Sequence, residues 1–563
     1  MARTISVGEQ NFSTIRERNC FLVDKTMLIK DWWENEDSVT LITRPRRFGK
    51  TLNMDMLDCF FSTGYANRSD LFEGLKIWEY EEYRNLQGTY PVISLSFSEI
   101  KNKNYKDMVG NLAYLFGNLY EKYQKTIENS KELSCFEKEK FNRVLVSLES
   151  EQNELIIQTA VKTLSNLLSA HYQKKVIILL DEYDTPLQEA YTGEFWDEMV
   201  SFMRIFFNST FKSNKYMQRA VMTGITRVSK ESLFSDMNNL KICTLTSEKY
   251  QEYFGFTEQE VFDSMDEFGY TNKDEVKYWY DGFTIGEKRD IYNPWSIINF
   301  LDKGKLKSYW SNTSSNGLVS KLLREADDEI KSDFEDLLRG GAIEKKIDDE
   351  MVFSQLGEDI NAIWSLLTAA GYLKMENIKE DIYELQIVNH EVMVMFRNMV
   401  EGWFTSKTSK YSKLIKSFLE GKTEDLNEYM NILTCSLISS FDTARNEDDF
   451  LAPEKFYHGF VLGLLVELRE RYSVKSNRES GIGRYDVMLI PKDKMKDKAF
   501  IIEFKVVNRN RGEKSLEDAL KNALKQIEEN RYEQNLTDMN IPKENIVKYG
   551  FVFEGKKVLI GMK

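Results

Sequence analysis

Residues 39–57, VTLITRPRRFGKTLNMDML, join an apolar strand pattern to a helix pattern through a Gly-Lys-Thr sequence. In a P-loop, G-x-x-x-x-G-K-[ST], backbone N–H groups surround phosphates, the lysine reaches the β- and γ-phosphate oxygens, and the hydroxyl binds Mg²⁺. Gly49, Lys50 and Thr51 fill the last three positions, but Arg44 stands in place of the first glycine. The stretch predicts a phosphate-binding site. It leaves open whether a loop with Arg44 in place of the first glycine still binds a nucleotide.

A second stretch, VIILLDEYD at residues 176–184, has the pattern of a Walker B strand. Asp181 is expected beside Mg²⁺ at the carboxyl end of this strand, and Glu182 is expected to polarise the attacking water. Thr223 ends a later strand and is followed by Arg227, positions suited to sensing the γ-phosphate and stabilising transferred charge. An ordinary strand-end threonine and a surface arginine fit the sequence equally well.

These residues lie at the ends of apolar runs that alternate with long helical patterns. Nearly continuous apolar runs are typical of strands in a parallel sheet that is buried on both faces. Strands that alternate with helices predict a doubly wound α/β domain, which we place at residues 1–245. The four runs are residues 38–43, 90–97, 175–181 and 219–226.

Residues 246–440 are mostly helical in pattern. Within them, residues 361–375 predict a helix that is closed by Gly371 and followed by a strand. Residues 382–388 predict a second strand, and Asn389 can cap the next helix. Helix, hairpin and helix in this order resemble a winged-helix module, which serves more often as a packing or partner surface than as a DNA reader.

A third set of chemical residues lies on two apolar strand patterns, YDVMLI and AFIIEFKVV. Glu503 and Lys505 are two residues apart on the second strand, so their side chains project from the same face. Asp486 on the first strand can join Glu503 in holding a hard divalent cation, Mg²⁺ or Mn²⁺. Lys505 would then position water or balance phosphate charge. A strand-edge acid and a lysine on an inactive domain fit the same pattern.

Five motifs in order resemble the bacterial AAA-ATPase-like family over roughly residues 5–305. In that family the loop Arg-Pro-Arg-Arg-Phe-Gly-Lys-[Ser/Thr] replaces the ordinary P-loop, so Arg46, Arg47 and Phe48 join the nucleotide-binding residues. The resemblance implies an ATPase of the additional-strand class that uses ATP and Mg²⁺. The motifs are FLVDKT (21–26), TRPRRFGKT (43–51), LLDEYDTPL (179–187), YDGF (280–283) and YNPWSIINFL (292–301).

The C-terminal Asp…Glu-x-Lys pattern resembles the PD-(D/E)XK nuclease superfamily. FYHGF, NRESGIGRYD, EFK and ALKQI together resemble the nuclease-like domain that often follows AAA-ATPase-like domains. The resemblance places Gln526, on the following amphipathic helix, next to the metal. Tyr485 stands where the superfamily pattern has proline, a difference that leaves Asp486 able to bind metal. The resemblance implies cleavage of a phosphodiester by a metal-activated water.

The composition of the chain argues against several other kinds of site and of protein. The five cysteines and three histidines are scattered, which argues against a disulfide framework, a thiolate zinc site and a histidine-rich metal cluster. No apolar run approaches about 18 residues, so we expect a cytoplasmic protein with no membrane partner. Residues 451–563 carry 22 Lys and Arg against 17 Asp and Glu, and the remainder carries 54 against 73. This asymmetry indicates weakly that the C-terminal part contacts DNA, although a chance division of surface charge is as compatible.

The sequence therefore predicts three domains: an AAA-like P-loop ATPase domain (1–245), a helical lid and winged-helix-like region (246–440), and a PD-(D/E)XK nuclease-like domain (441–563). The leading hypothesis is a metal-dependent DNA endonuclease whose cleavage is gated by the ATP state, in phage defence or mobile-element biology. The alternative is a nucleotide-switched DNA-binding or assembly protein whose nuclease-like domain is inactive. A homo-oligomer is compatible with both, and the sequence identifies no arginine-finger donor.

Overall fold

The computed structural model divides into two compact units. Unit 1 comprises Met1–Ser315 with Ala342–Met393, and unit 2 comprises Asn316–Gly341 with Val394–Lys563. The domain boundaries near residues 245 and 440 stay a prediction. The structure describes residues 3–150, 153–226, 233–234, 237–310, 317–326, 328–347, 360–379, 382–404, 408–438, 461, 468, 471–480, 483–494, 496–507, 513, 515–554 and 557–563.

The central sheet of unit 1 has five strands: β1 (Val39–Thr43), β2 (Val92–Ser96), β3 (Val176–Asp181), β4 (Met217–Gly224) and β5 (Leu240–Cys243). Every neighbouring pair is parallel, and the order is β2-β3-β4-β1-β5. Because β4 lies between β1 and β3, the sheet has the additional-strand arrangement. The α/β prediction is confirmed, and four strands coincide with the predicted apolar runs. β5 was missed because its sequence, Leu-Lys-Ile-Cys, is short and interrupted by a lysine.

Helices connect these strands and continue to residue 303. They are α1 (Phe12–Glu17), α2 (Met27–Glu34), α3 (Lys50–Phe61), α4 (Glu81–Leu86), α5 (Tyr105–Glu128), α6 (Cys135–Ser150), α7 (Glu154–Tyr172), α8 (Thr185–Thr192), α9 (Trp196–Phe207), α10 (Glu258–Phe268), α11 (Lys273–Tyr280) and α12 (Pro294–Lys303). Side chains that accept from free N–H groups fix several helix starts. Asn293 Oδ1, for example, accepts from the backbone of Trp295 and Ser296 and begins α12.

Burial of the central strands explains why they run continuously apolar. All residues of β1 and β3 are buried. Apolar side chains of α3, including Met54, Leu57 and Phe60, form one cluster with Ile177 and Leu179 of β3. This packing fixes the first turn of α3 against the carboxyl ends of the strands, where the predicted phosphate site lies.

Smaller elements follow the central sheet. α13 (Gly317–Glu325) and α14 (Asp328–Leu338) belong to unit 2. Two small antiparallel sheets belong to unit 1: β6 (Phe256–Thr257), β7 (Phe283–Ile285) and β8 (Lys288–Tyr292) in the order β6-β8-β7, and β9 (Ile343–Lys346), β10 (Leu373–Lys379) and β11 (Ile382–Ile387) in the order β10-β11-β9. α15 (Ile360–Ala369), the β10–β11 hairpin and α16 (His390–Phe404) follow in the predicted order. The winged-helix assignment itself stays a prediction.

Unit 2 is built on a mixed five-stranded sheet. Its strands, in spatial order, are β12 (Tyr472–Ser480), β13 (Gly483–Pro491), β14 (Ala499–Val506), β15 (Ile546–Glu554) and β16 (Lys557–Met562). Its later helices are α17 (Thr408–Glu420), α18 (Thr423–Ile438), α19 (Leu516–Glu529) and α20 (Gln534–Asp538). Only the β14–β15 pair is parallel, and α19 provides the crossover that a parallel pair requires. A Cβ on Gly550 would lie 2.7 Å from Leu520 Cδ1, so glycine lets α19 pack closely on the sheet.

Arg44, directly after β1, is fully buried and joins the carboxyl ends of β1 and β5. Its Nη1 donates to the carbonyl oxygens of Thr43 (2.8 Å), Cys243 (3.2 Å) and Thr244 (2.7 Å), and its Nη2 donates to that of Lys249 (3.4 Å). Burial lowers the pKa of Arg44 to about 10, which leaves the guanidinium charged at neutral pH. Arg44 therefore supports the turn from the sheet side and is not a phosphate ligand.

Replacing Arg44 by the glycine of the ordinary pattern is expected to destabilise the protein. The Arg44→Gly variant leaves buried carbonyl groups without their donor, at a cost of about 3 kcal/mol in the free energy of unfolding. Urea denaturation measures this loss, with Arg143→Ala on the exposed face of α6 as the control. A variant with the parent's midpoint and slope would contradict this role for Arg44.

Candidate functional sites

The turn between β1 and α3 places a lysine ammonium inside a ring of backbone groups. Gly49 has φ of +81°, a left-handed conformation that glycine adopts without strain, and it caps α3. Lys50 Nζ donates to the carbonyl oxygens of Arg44 (2.9 Å) and Pro45 (2.8 Å). Burial lowers the pKa of Lys50, an effect that the charges of Asp181 and Glu182 oppose. The turn thus has the cation and helix N-terminus that phosphates need.

Three oxygen-bearing side chains meet at the carboxyl ends of β3 and β4. Thr51 Oγ1 donates to Asp181 Oδ2 at 2.6 Å, and Thr223 Oγ1 donates to Asp181 Oδ1. Asp181 and Thr223 are buried. A hydroxyl and a carboxylate in direct contact form an all-oxygen donor set, which suits Mg²⁺. Thr51 and Asp181 are therefore the residues that would hold the ion.

Glu182 lines the same cavity as Lys50 and Thr51. It has φ of +52°, and its Oε2 accepts from Thr185 Oγ1 at 3.3 Å. Burial raises the pKa of Glu182; the charge of Asp181 acts in the same direction and that of Lys50 in the opposite one. A half-buried carboxylate of raised pKa beside a phosphate loop is suited to accept a proton from water.

Tyr183 and Asp184, which the sequence analysis left without a role, tie β3 to the segment after β4. Asp184 Oδ2 accepts from the backbone N–H groups of Ile225 and Thr226, both at 3.0 Å. Tyr183 Oη donates to the carbonyl oxygen of Thr226 at 2.8 Å. A Cβ on Gly224 would lie 2.6 Å from the Tyr183 ring, so this approach requires glycine. These bonds hold Thr223 against Asp181. The only feature of the sequence that pointed to Asp184 was that it is a third acid shortly after Asp181 and Glu182.

The cavity at this site has a volume of about 890 Å³, which is the size of a small-molecule pocket. Its polar lining includes Lys50 and Thr51 of the phosphate turn and Glu182 after β3. Its apolar lining includes Phe12, Phe21, Tyr253, Phe256, Trp295 and Ile298.

The YDGF and YNPWS motifs contact the phosphate turn directly. The guanidinium of Arg47 lies 4.5 Å from the centre of the Trp295 ring, and Asn293 Nδ2 donates to the carbonyl oxygen of Arg46 at 3.4 Å. The rings of Phe48 and Phe283 meet edge to face at 4.8 Å. These contacts give the two motifs a physical role, because they hold the Arg46–Phe48 part of the turn.

The FLVDKT motif joins the N-terminal segment to α10. Lys25 Nζ donates to both carboxylate oxygens of Glu260, at 2.7 and 2.6 Å, and to the carbonyl oxygen of Glu252 at 2.5 Å. Burial lowers the pKa of Lys25, and Glu260 opposes this shift. Glu260 also completes the capping box of α10 with Thr257. Lys25 is therefore engaged in structure, although it also lines the cavity.

A cluster of three carboxylates, from the start of α10, the end of α11 and β8, has the geometry of a metal site. Ligand oxygens of Glu258, Asp281 and Asp290 lie within 4.8 Å of one another. Lys277 Nζ contacts all three residues, at 3.8 Å from Asp281 and 3.5 Å from Asp290, with Glu258 closer. The ammonium therefore supplies the positive charge that holds these acids together, and the cluster is explained without a metal.

In unit 2, Asp486 and Glu503 lie at the point where β13 and β14 stop pairing. The last pair of the ladder is Val487–Ile502, one step before Asp486 and Glu503 would face each other. Asp486 Oδ2 instead accepts from the backbone N–H of Phe504 at 2.7 Å. Glu503 is only 3% exposed. Two carboxylates on adjacent strands fit a hard divalent cation.

Gln526 of α19 reaches this pair of acids. Its Nε2 donates to Glu503 Oε1 and, at 3.4 Å, to Tyr532 Oη. Burial raises the pKa of the fully buried Tyr532, and the charges of Glu503 and Asp486 act in the same direction. Gln526 and Glu503 are therefore in contact, and Asp486 lies on the neighbouring strand; their role in holding a metal stays a prediction.

Lys505 is half-buried on β14, two residues after Glu503. Arg227, the expected sensor of transferred charge, lies outside the described residues, so its assignment stays a prediction. The roles assigned to the other site residues also stay proposals, although the structure brings these residues together in two separate sites.

Comparison with known families agrees with both geometries. Residues 6–234 match the model of the predicted AAA-ATPase family, AAA-ATPase-like. Residues 452–563 match the model of the PD-(D/E)XK nuclease superfamily. The chain combines an AAA-ATPase-like domain with a PD-(D/E)XK nuclease superfamily domain. Both resemblances drawn from the sequence motifs are thereby confirmed.

The chain is also similar to a bacterial protein whose function is not described. It is described as an uncharacterized protein in the vnfD 5' region of Azotobacter chroococcum mcd 1 and is 29% identical over 329 residues. The match covers 57% of this chain and 56% of the relative, so the chain spans just over half the relative's length. Within the described part of the chain, no helix is long and apolar enough to cross a membrane.

The acid cluster behind the AAA-ATPase-like domain gives a prediction for stability against pH. Burial, followed by the hydrogen bond and charge of Asp290, raises the pKa of Asp281 to about 7, and Lys277 opposes this rise. The folded state then holds a proton that the unfolded state has released, so this group's contribution to stability falls as pH rises from about 4 to 7. As pH rises over that range, the free energy of unfolding of Asp281→Asn should increase by roughly 2 kcal/mol relative to that of the parent.

Urea denaturation at pH 4.5 and pH 8 measures this change. Asp274→Asn, on the exposed part of α11, is the matched control and should show no gain. An Asp281→Asn variant whose difference from the parent is the same at both pH values would show that Asp281 does not titrate in this range.

Proposed function

We propose that the AAA-ATPase-like domain binds and hydrolyses Mg·ATP and that its nucleotide state gates phosphodiester cleavage by the C-terminal domain. The contact of Thr51 and Thr223 with Asp181, beside Lys50 and Glu182, carries the ATPase proposal. All five side chains converge at the carboxyl ends of parallel strands, which is the usual ligand position in such sheets.

The roles of the residues follow from their positions. Backbone N–H groups of the turn and Lys50 hold the β- and γ-phosphates, and Glu182 accepts the proton of the water that attacks the γ-phosphorus. Thr223, held by the Asp184 contacts, is positioned to orient that water or the γ-phosphate. When bound, Mg²⁺ at Thr51 and Asp181 neutralises charge that develops on the phosphate oxygens.

The isosteric Glu182→Gln variant is expected to bind ATP and to lose hydrolysis. Loss of a general base lowers the rate by roughly 10²- to 10³-fold, since such proton transfer contributes 10²–10⁴-fold. Phosphate release in the presence of Mg²⁺ measures kcat, and Glu198→Gln on the exposed face of α9 is the control. Retained hydrolysis in Glu182→Gln would remove Glu182 from the mechanism.

In the C-terminal domain, we infer metal-dependent cleavage of DNA. Asp486 and Glu503 would hold Mg²⁺ or Mn²⁺, Gln526 orients Glu503, and Lys505 faces the phosphate or the attacking water. The excess of basic residues in 451–563 supports contact with the phosphate backbone, which gives affinity without sequence preference. Gating by ATP is proposed because one chain carries both sites; a role in phage defence or mobile-element biology is compatible with it.

Plasmid and linear DNA, incubated with the purified protein with and without ATP and with Mg²⁺ or Mn²⁺, test this proposal. Glu503→Gln and Lys505→Ala should each lower cleavage at least 100-fold, because charge stabilisation of this kind contributes about 10²–10³-fold. Lys521→Ala on the exposed face of α19 should cleave like the parent. Circular dichroism of each variant confirms folding.

Each outcome distinguishes the two functions. Cleavage that requires metal and changes with ATP supports the gated nuclease. Salt-sensitive DNA binding that responds to ATP, with no cleavage under either metal, favours the alternative of a nucleotide-switched binding or assembly protein. The chain is proposed to act in the cytoplasm, alone or as a homo-oligomer.

A further inference from the structure

The turn after β2 brings a lysine to the cavity that the phosphate turn also lines. The backbone N–H of Phe97 donates to the carbonyl oxygen of Asp181 at 3.0 Å, and that of Ile100 donates to the carbonyl oxygen of Phe97 at 3.0 Å. Phe97 is fully buried and Ile100 is 4% exposed, so the turn is anchored in the core. Lys101 follows this anchor and lines the cavity, as do Ser96 and Ser98.

The other cations that line this cavity already have partners. Lys25 is bound to a carboxylate, Lys50 to two carbonyl oxygens, and Arg47 lies over an indole ring. Arg46 is engaged as well. Within the part of the chain that the structure describes, Lys101 is the cavity-lining cation whose side chain makes no hydrogen bond, ion pair or contact with an aromatic ring. Its ammonium is available to a ligand without breaking a contact.

Lys101 also lies within electrostatic reach of Glu182. Both side chains line the same cavity, and their opposite charges attract each other. β2 and β1 flank the β3–β4 pair, so the segments that carry Lys101 and Lys50 leave the sheet on opposite sides of β3, the strand that ends just before Glu182. A phosphate chain that starts at the turn and ends near Glu182 would have Lys101 at its far end.

We propose that Lys101 is a catalytic residue that binds a γ-phosphate oxygen. It acts in cis, on the nucleotide bound by its own chain. The inference rests on the ATPase function proposed above. In the reaction, the water oxygen forms a bond to the γ-phosphorus, the bond from that phosphorus to the leaving oxygen of ADP breaks, and Glu182 accepts the water proton. Lys101 stays protonated and stabilises the charge on the transferred group. A charged side chain from a second copy is then unnecessary.

The experiment compares binding of a triphosphate with binding of a diphosphate. Lys101→Ala should bind Mg·ADP within twofold of the parent, because ADP has no γ-phosphate. Its affinity for the non-hydrolysable triphosphate AMP-PNP should fall at least tenfold, and its kcat for ATP should fall about 100-fold, less than the 10³–10⁵-fold supplied by an arginine finger. Lys101→Arg should recover part of both. Lys103→Ala, two residues further on and exposed, is the matched control and should behave like the parent.

The results separate this inference from the proposal on which it rests. A parent protein that binds neither nucleotide overturns the ATPase proposal and, with it, the role of Lys101. A parent that binds and hydrolyses ATP, while Lys101→Ala keeps the parent's kcat and its ratio of AMP-PNP to ADP affinity, overturns the role of Lys101 alone. Specific activity that rises with protein concentration would show that a second copy supplies the charge in place of Lys101.

Discussion

A buried guanidinium is the constraint on which the nucleotide site depends. The ordinary phosphate turn uses a glycine at its first position, because the chain there must bend without a side chain in the way. This chain has Arg44 at that position and directs its side chain to the carbonyl oxygens at the ends of β1 and β5. The turn is therefore held from the sheet side, while Lys50 and Thr51 remain on the ligand side.

The remaining motifs of the AAA-ATPase-like resemblance act as supports for the same turn. Phe48 meets Phe283 of the YDGF motif, and Arg47 meets Trp295 of the YNPWS motif. A Cβ on Gly371 would lie 2.8 Å from Pro45, so the segment after α15 also packs closely on the turn. The YDGF and YNPWS motifs, more than 220 residues after the turn in the sequence, are thus packed directly against it.

Local patterns in the sequence were sufficient for the parts of the site that follow strand ends. Apolar runs located four of the five parallel strands, and acids or hydroxyls directly after such runs, such as Asp181 and Thr223, meet because parallel strands end at one edge. The function of Arg44 could not be predicted, because its partners lie about 200 residues away on β5, a strand too short to show a pattern. The bonds of Asp184 and the position of Lys101 depend likewise on tertiary contacts that no spacing reveals.

The two sites of the chain place their carboxylates differently: Asp181 ends a parallel strand, whereas Asp486 and Glu503 lie within β13 and β14 where these strands stop pairing. We propose that the turn rebuilt around Arg44 binds nucleotide phosphates through Lys50. Isothermal titration calorimetry of the purified full chain with Mg·AMP-PNP measures this binding. The structure predicts one saturable site per chain whose heat of binding disappears in the Lys50→Ala variant. Absence of saturable binding by the folded parent protein, or equal binding by Lys50→Ala, would contradict it.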